Sequence, residues 1–287
     1  MAPTPDSPME LHVTELAIED HVGIIRLNRP GRGNSWTSRM NAEYRWLMLR
    51  LDRDPLVRVI VVTGTGHQFC VGADFKALDH HASSSTDYVE ASKAATAEMA
   101  MPGYGIRADF DHDMVWHWGL SKTVICAING ACAGIAVSLA AFCDLRYAVE
   151  GAKFTTATPK LGLPAEYGIS WLLPRIVGLT HAADVLLTGR IFTAEEALAM
   201  GLLNGVFARE EFESRVIALA KSAAQSVSPI AAKTAKRQLY AELLSHDIGQ
   251  SIEGSKALTN RLLKHPDHRE GALAMKEKRP PRFSDPA

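Results

Sequence analysis

Phe69-Cys70-Val71-Gly72-Ala73-Asp74-Phe75-Lys76 and Ile128-Asn129-Gly130-Ala131-Cys132-Ala133-Gly134-Ile135-Ala136-Val137-Ser138-Leu139-Ala140-Ala141-Phe142-Cys143-Asp144-Leu145 are the two stretches whose reading decides the fold of this chain. The first follows a run dense in β-branched residues at 57–63, and the second grows out of a shorter run at 123–128. Apolar runs of this length without alternation read as strands buried on both faces of a parallel sheet. In each stretch small residues stand where a strand gives way to a helix. The first turn of a helix carries N–H groups with no intrahelical partner, and the helix dipole adds partial positive charge there. Two such ends facing one point would stabilise a negative oxygen, each donor contributing about 3–4 kcal/mol to a transition state. One Gly-rich strand–helix turn is more often a packing device than an anion site. A pair of them, in this order and about 60 residues apart, is a far more specific pattern.

Working outward, residues 11–17 and 22–27 read as a hairpin around Asp20-His21. Residues 29–34 form a loop, after which Thr37 or Ser38 can cap a helix running to about Arg53. Beyond the second stretch, 145–149 reads as a strand. Helices are then expected at 168–177, 181–187, 194–200, 211–226 and over most of 229–264. Strand and helix alternate in the first half, which argues for an α/β fold with a parallel sheet and crossover helices; the last third is almost purely helical. Residues 77–120 are polar, then helical with weak periodicity. The tail Lys278-Arg279-Pro280-Pro281-Arg282-Phe283 reads as a solvated terminus.

The 287 residues balance 31 basic against 32 acidic side chains, a net charge of −1, which argues against nucleic-acid or anionic-membrane partners. Cys70, Cys126, Cys132 and Cys143 include no Cys-x-x-Cys pair and are expected to be reduced, buried thiols of a cytoplasmic protein. Residues 1–8 lack the layout of a signal peptide, and no apolar stretch is long enough to span a bilayer. His80-His81 and Asp111-His112-Asp113 place neighbours that point apart, so neither presents a ready-made metal site, and no metal is expected.

The two corners together resemble those of the crotonase superfamily, the enoyl-CoA hydratase/isomerase family. The resemblance extends over nearly the whole chain: Arg29-Pro30 to Asn34-Ser35, Gly72-Ala73-Asp74, Asn129-Gly130 to Gly134, Cys143-Asp144-Leu145-Arg146 and Leu172-Leu173-Pro174-Arg175-Ile176-Val177-Gly178. It implies a spiral of ββα units over residues 8–205. It also implies a helical C-terminal region, 206–287, that closes the acyl-CoA pocket and makes contacts in a homotrimer or a dimer of trimers. The backbone N–H groups of Ala73 and Ile135 would form an oxyanion hole for a thioester enolate, with Gly72 and Gly134 shaping it. The family usually has glycine where Ile135 stands; the donor is backbone, so a side chain there narrows the pocket without removing the hole. Asp74 would fix the first corner by capping a helix. For coenzyme A the resemblance points to Arg32, Ser35, the backbone around Ala73 and a C-terminal base such as Lys276. Coenzyme A belongs to the substrate, and no separate cofactor is implied.

The resemblance also implies a departure. The two glutamates with which family hydratases activate water align here with Ser138 and Thr158, which then line the substrate site without acting as bases. Glu166, in Gly162-Leu163-Pro164-Ala165-Glu166-Tyr167-Gly168, falls where related 3-enoyl-CoA to 2-enoyl-CoA isomerases carry their catalytic carboxylate. Shifting a double bond needs a single base, and a carboxylate desolvated by Leu163, Tyr167, Ile169 and Trp171 would have the raised pKa that suits it. Glu166 as a cap for a helix starting near Tyr167 is the competing reading. Tyr104, Trp116 and Trp118 would line the acyl pocket or pack in the core. Three functions therefore stand side by side: an isomerase using Glu166, a hydratase or acyl-CoA hydrolase with other acid/base groups, and an inactive acyl-CoA-binding homologue.

Overall fold

The computed structural model describes residues 9–74, 110 and 112–284. Its main sheet has six strands in the order β1 (Thr14–Glu19), β2 (Val22–Leu27), β3 (Val59–Gly64), β4 (Thr123–Ile128), β6 (Leu145–Val149) and β9 (Gly205–Phe207). Only the β1–β2 hairpin is antiparallel. A second row runs beside it: β5 (Cys132–Ala133), β7 (Lys153–Thr155) and β8 (Phe192–Thr193), extended by the single-residue bridges Cys70 to Cys132 and Trp36 to Ala73. Four of these strands are each followed by a short extended segment in the second row: β2 by Trp36, β3 by residues 70–73, β4 by β5 and β6 by β7. Helices follow β2, β4 and β6 in turn: α1 (Ser38–Arg53), α2 (Ile135–Phe142) and α3 (Ile169–Thr188). This is the spiral of ββα units expected from the sequence.

Local chemistry explains most boundaries. The Thr37 hydroxyl accepts the Met40 N–H and starts α1. The helices expected at 168–177 and 181–187 form one element, α3, interrupted at Gly178, whose φ of 78° and ψ of 158° no helix allows. β1 lies two to three residues later than expected, because Glu43 of α1 accepts the N–H groups of His12 and Val13 and holds them out of the strand. β5, β7, β8 and β9 are too short for a period of two to show in the sequence. After α4 (Ala194–Ala199) and β9 the chain is helical: α5 (Phe212–Ser226), α6 (Pro229–Glu242), α7 (Ile248–Leu262) and α8 (Pro266–Glu277). α8 was not expected; Pro266 at its first turn is its start signal.

Asp144 anchors α6 to the core. Its Oδ2 accepts Lys236 Nζ at 2.7 Å and the Val124 N–H at 2.7 Å, and its Oδ1 accepts the Tyr240 hydroxyl at 2.6 Å. The Tyr240 ring stacks on Trp118 at 4.5 Å. The basic tail is not simply solvated: Arg279 pairs with Glu270, and Arg58 donates to the Phe283 carbonyl at 2.9 Å. All four cysteines are free and buried, and burial pushes the Cys70 thiol up to about 12. Among the described residues no helix is long and apolar enough to cross a membrane.

Candidate active site

β3 and β4 end side by side, and three side-chain amides tie the loops that leave them. Asn129 accepts the Gly64 N–H at 3.1 Å and donates to the carbonyls of Gly64 and Gly66, both at 3.0 Å. Gln68 accepts the Ala131 N–H at 3.0 Å. Asn34 donates to the carbonyls of Thr65 and Gln68 at 3.0 and 2.8 Å. The backbones approach so closely that a Cβ on Gly130 would lie 1.9 Å from the His67 carbonyl oxygen, and one on Gly64 2.3 Å from that of Gln68. Sequence reasoning gave Gln68 no role. Its only signal is a polar residue just before the buried Phe69-Cys70 pair.

The two corners then meet. The Cys70 N–H donates to the Ala131 carbonyl and the Ala133 N–H to the Cys70 carbonyl, both at 3.0 Å. A Cβ on Gly72 would sit 3.2 Å from the Ala133 oxygen and 3.9 Å from the Gly134 Cα. Trp36 brackets Ala73 from the other side: its N–H donates to the Gly72 carbonyl at 2.7 Å, and its carbonyl accepts the Asp74 N–H at 3.0 Å. In extended backbone, successive N–H groups point to opposite sides. The Ala73 N–H therefore turns away from Trp36. Ile135 is the first residue of α2, preceded by Gly134, whose φ is 55°, so its N–H is one of the unpaired donors of the first turn. Among the described residues neither the Ala73 nor the Ile135 N–H has an acceptor.

Asp74 was expected to cap a helix; any helix following it lies outside the described residues. What the structure shows is a carboxylate whose Oδ2 lies 3.0 Å from Arg29 Nη2 and accepts the Ser35 hydroxyl at 3.0 Å. Arg32 is exposed, three residues along from Arg29, and among the described residues its side chain has no partner. Lys276 is exposed on α8. That helix and the tail behind it are held by Ser228 and Arg58, at the end of the sheet opposite the corners. Lys276 lies in the last turn of that helix, nine residues beyond Asp267.

The segment between β7 and α3 completes the surroundings. The Thr155 carbonyl accepts the Gly134 N–H at 2.9 Å, tying β7 to the second corner. Thr158 is buried and opens a short 3-10 turn, Thr158–Leu161; Ser138 is buried in α2, three residues after Ile135. Glu166 is half-buried in the loop before α3, and its carboxyl pKa is raised by desolvation. Among the described residues its carboxylate has no hydrogen-bond or ion-pair partner. The first helical residue of α3 is Ile169, its N-cap is Gly168, and no side chain caps it, so Glu166 is not the cap. A Cβ on Gly168 would lie 3.5 Å from Phe142, which sets this loop against the far end of α2.

Trp116 and Trp118 are core residues: Trp116 stacks on His117 at 4.0 Å, and Trp118 lies between Tyr240 and Phe142. His112 is exposed and Asp113 pairs with Arg45 at 3.2 Å. His80, His81, Tyr104 and Asp111 lie outside the described residues.

The enoyl-CoA hydratase/isomerase family model matches residues 17–286. The chain belongs to that family. It is 30% identical to the peroxisomal Delta(3,5)-Delta(2,4)-dienoyl-CoA isomerase of Arabidopsis thaliana, over 98% of this chain and 99% of the relative. It is 31% identical to the (E)-benzylidenesuccinyl-CoA hydratase of Thauera aromatica, over 93% and 97%. Among solved structures, an enoyl-CoA hydratase from Bacillus anthracis superposes with a TM-score of 0.83 at 27% identity, covering 96% of this chain and 100% of that one. As an enoyl-CoA hydratase/isomerase family member the chain is an enzyme acting on acyl-CoA thioesters. Its relatives include both isomerases and hydratases.

Proposed function

We infer that this enzyme moves the double bond of a 3-enoyl-CoA into conjugation, giving the 2-enoyl-CoA. Glu166 takes the proton from C2 and returns it at C4, and the Ala73 and Ile135 N–H groups hold the enolate oxygen between the two steps. The observation that carries this reading is the carboxylate of Glu166: half-buried, raised in pKa by desolvation and without a partner among the described residues. A carboxylate held by no protein donor is free to take up and release a proton. The close approach of Gly72 and Gly134 supports a shared oxyanion site, and the unpaired amides that follow them are its donors. Ser138 and Thr158, in place of the hydratase glutamates, leave Glu166 as the base. Residues 8–205 supply this site and 206–287 complete the pocket in a trimer or hexamer. α7 buries none of its residues and leaves Ile248 and Ile252 exposed, as expected of a helix that covers its apolar side with a second copy of the chain.

The deciding experiment offers the enzyme 3-enoyl-CoA and 2-enoyl-CoA esters separately and follows the products. Conversion of the 3-enoyl ester to its 2-enoyl isomer, lost in Glu166→Gln, is the expected result. Hydration of the 2-enoyl ester with no isomerisation of the 3-enoyl ester would hand the site to the hydratase reading. Binding of both without turnover would make the chain an acyl-CoA carrier.

A further inference from the structure

Arg29 is held by several partners beside the first corner, and nothing in the reaction outlined above uses it. Its own N–H donates to Asn34 Oδ1 at 2.8 Å. Its Nη1 donates to the Ser35 carbonyl at 2.7 Å and the Ser35 hydroxyl at 2.9 Å, and its Nη2 lies 3.0 Å from Asp74 Oδ2. The Ser35 hydroxyl closes the ring by donating to the same Asp74 oxygen. The Arg29 and Asp74 side chains are 22% and 17% exposed, so water screens this pair less than a surface ion pair.

Two short backbone links make this cluster relevant to catalysis. Ser35 and Asp74 flank the Trp36–Ala73 bridge, in which Trp36 bonds on both sides of Ala73. The guanidinium therefore joins the residue before Trp36 to the residue after Ala73. It holds in register the peptide whose free N–H is the first oxyanion donor. Oxyanion stabilisation depends on donors fixed in place before charge develops, and a donor that drifts loses much of its effect.

We propose that Arg29 is a positioning residue for the oxyanion hole: through Asp74 and Ser35 it sets the direction of the Ala73 N–H. The proposal rests on the oxyanion reading of Ala73 but not on the identity of the base. It gives Ser35 and Asp74 a role other than contact with coenzyme A. Lysine cannot replace the fork, because an ammonium cannot reach the Ser35 carbonyl, the Ser35 hydroxyl and the carboxylate in one plane.

The test uses a saturated acyl-CoA, butyryl-CoA labelled with 13C at the thioester carbonyl, and infrared difference spectroscopy of the bound ester. In the wild-type enzyme the carbonyl band is expected below its frequency in water. In Arg29→Met it should move back toward the solution value, with kcat on the turnover substrate about tenfold lower or more and KM little changed. Asp74→Asn should do the same, and the double variant should be no worse than the worse single one. If Arg29→Met does not fold, Arg29→Lys decides, with a band between the two. A band that stays at the wild-type position in a folded Arg29 variant overturns the proposal, whatever happens to melting temperature. A wild-type band with no displacement overturns the oxyanion reading with it. Glu166→Gln distinguishes failure of the base assignment: it should keep the displaced band while lowering turnover by about 10²-fold or more.

Discussion

The first corner and the Glu166 loop are built in opposite ways. Around the corner nearly every polar group has a partner: Asn34, Gln68 and Asn129 tie the backbone, and Arg29, Ser35 and Asp74 tie one another. In the Glu166 loop the carboxylate has no partner among the described residues, and α3 starts behind it with no side-chain cap. The difference follows from what each part must do in the proposed reaction. A hydrogen-bond donor serves a developing charge best when it cannot move. A base that carries a proton between two carbons must be free to do so, and its pKa must stand above that of an ordinary carboxylate. A rigid donor and an unsatisfied acceptor thus call for different scaffolds.

The comparison breaks most visibly at Gly130. Alanine there would place its Cβ 1.9 Å from the His67 carbonyl oxygen, a backbone atom that cannot rotate aside. Gly130→Ala is expected to cost about 3 kcal/mol or more of stability and to lower turnover with it, as calorimetry and an activity assay would show. Gly31 is the control. Nothing lies within 4 Å of the point where a Cβ would stand on it, so Gly31→Ala should change stability by no more than about 0.5 kcal/mol. A melting temperature for Gly130→Ala equal to wild type would mean that the corner is slack after all.

Glu166→Gln gives the converse result. Turnover should fall by about 10²-fold or more, while stability at neutral pH stays level or rises, because a desolvated charge with no partner is removed. In wild-type enzyme the acid limb of kcat/KM should lie above the ordinary glutamate value of 4.5, since the base works ionised and its pKa is raised. A limb at or below 4.5, or a large loss of stability in the variant, would place Glu166 among the structural carboxylates.

How much of this could be read from the sequence differs between the two regions. The corners were legible because β-branched runs followed by small residues report strand ends directly, as at 57–63 before Gly72 and at 123–128 before Gly134. The ties between them were not. Asn129 to Gly64 and Gln68 to Ala131 span more than 60 residues, and a lone Asn or Gln carries no periodic signal. The short strands of the second row escaped for the same reason: two or three residues hold no period. Glu166 was visible only by likeness to a family position, and composition alone could not distinguish a base from a helix cap. The α3 geometry, with Gly168 in the left-handed region as its N-cap and no side-chain cap, removes the cap reading.

A smaller effect tests how far the tight packing behind the first corner extends. Trp36, which brackets Ala73, lies edge-on to Tyr44 at 5.5 Å, and the Tyr44 hydroxyl is 2.7 Å from His117 Nε2. His117 Nδ1 faces the Met114 carbonyl at 2.5 Å, so Nδ1 carries the proton and Nε2 accepts from Tyr44. Burial, with smaller contributions from Lys236 and Arg45, drives its pKa down from 6.5 to about 3. The unfolded chain then binds a proton between those values that the folded chain refuses. Stability should fall as pH drops from 6.5 toward 3, by at most about 1.4 kcal/mol per pH unit from this group. Denaturant titrations at pH 7, 6, 5 and 4 should show a shallower fall for His117→Gln than for wild type. Equal slopes would mean that the imidazole is reached by water.

The smallest expected effect separates two arginines of one loop. Arg29 is held by Ser35 and Asp74, whereas Arg32 is exposed and its side chain has no partner among the described residues. If Arg32 meets the phosphates of coenzyme A, it does so as a solvated charge, and such a contact contributes up to about 1 kcal/mol. Arg32→Ala should therefore raise KM for the acyl-CoA ester by up to about fivefold, leave kcat and melting temperature unchanged, and lose its effect as salt is added. The same substitution at Arg29 should do the reverse, lowering kcat and leaving KM nearly alone. A kcat loss in Arg32→Ala would show that the whole loop, and not the guanidinium of Arg29, sets the direction of the Ala73 N–H.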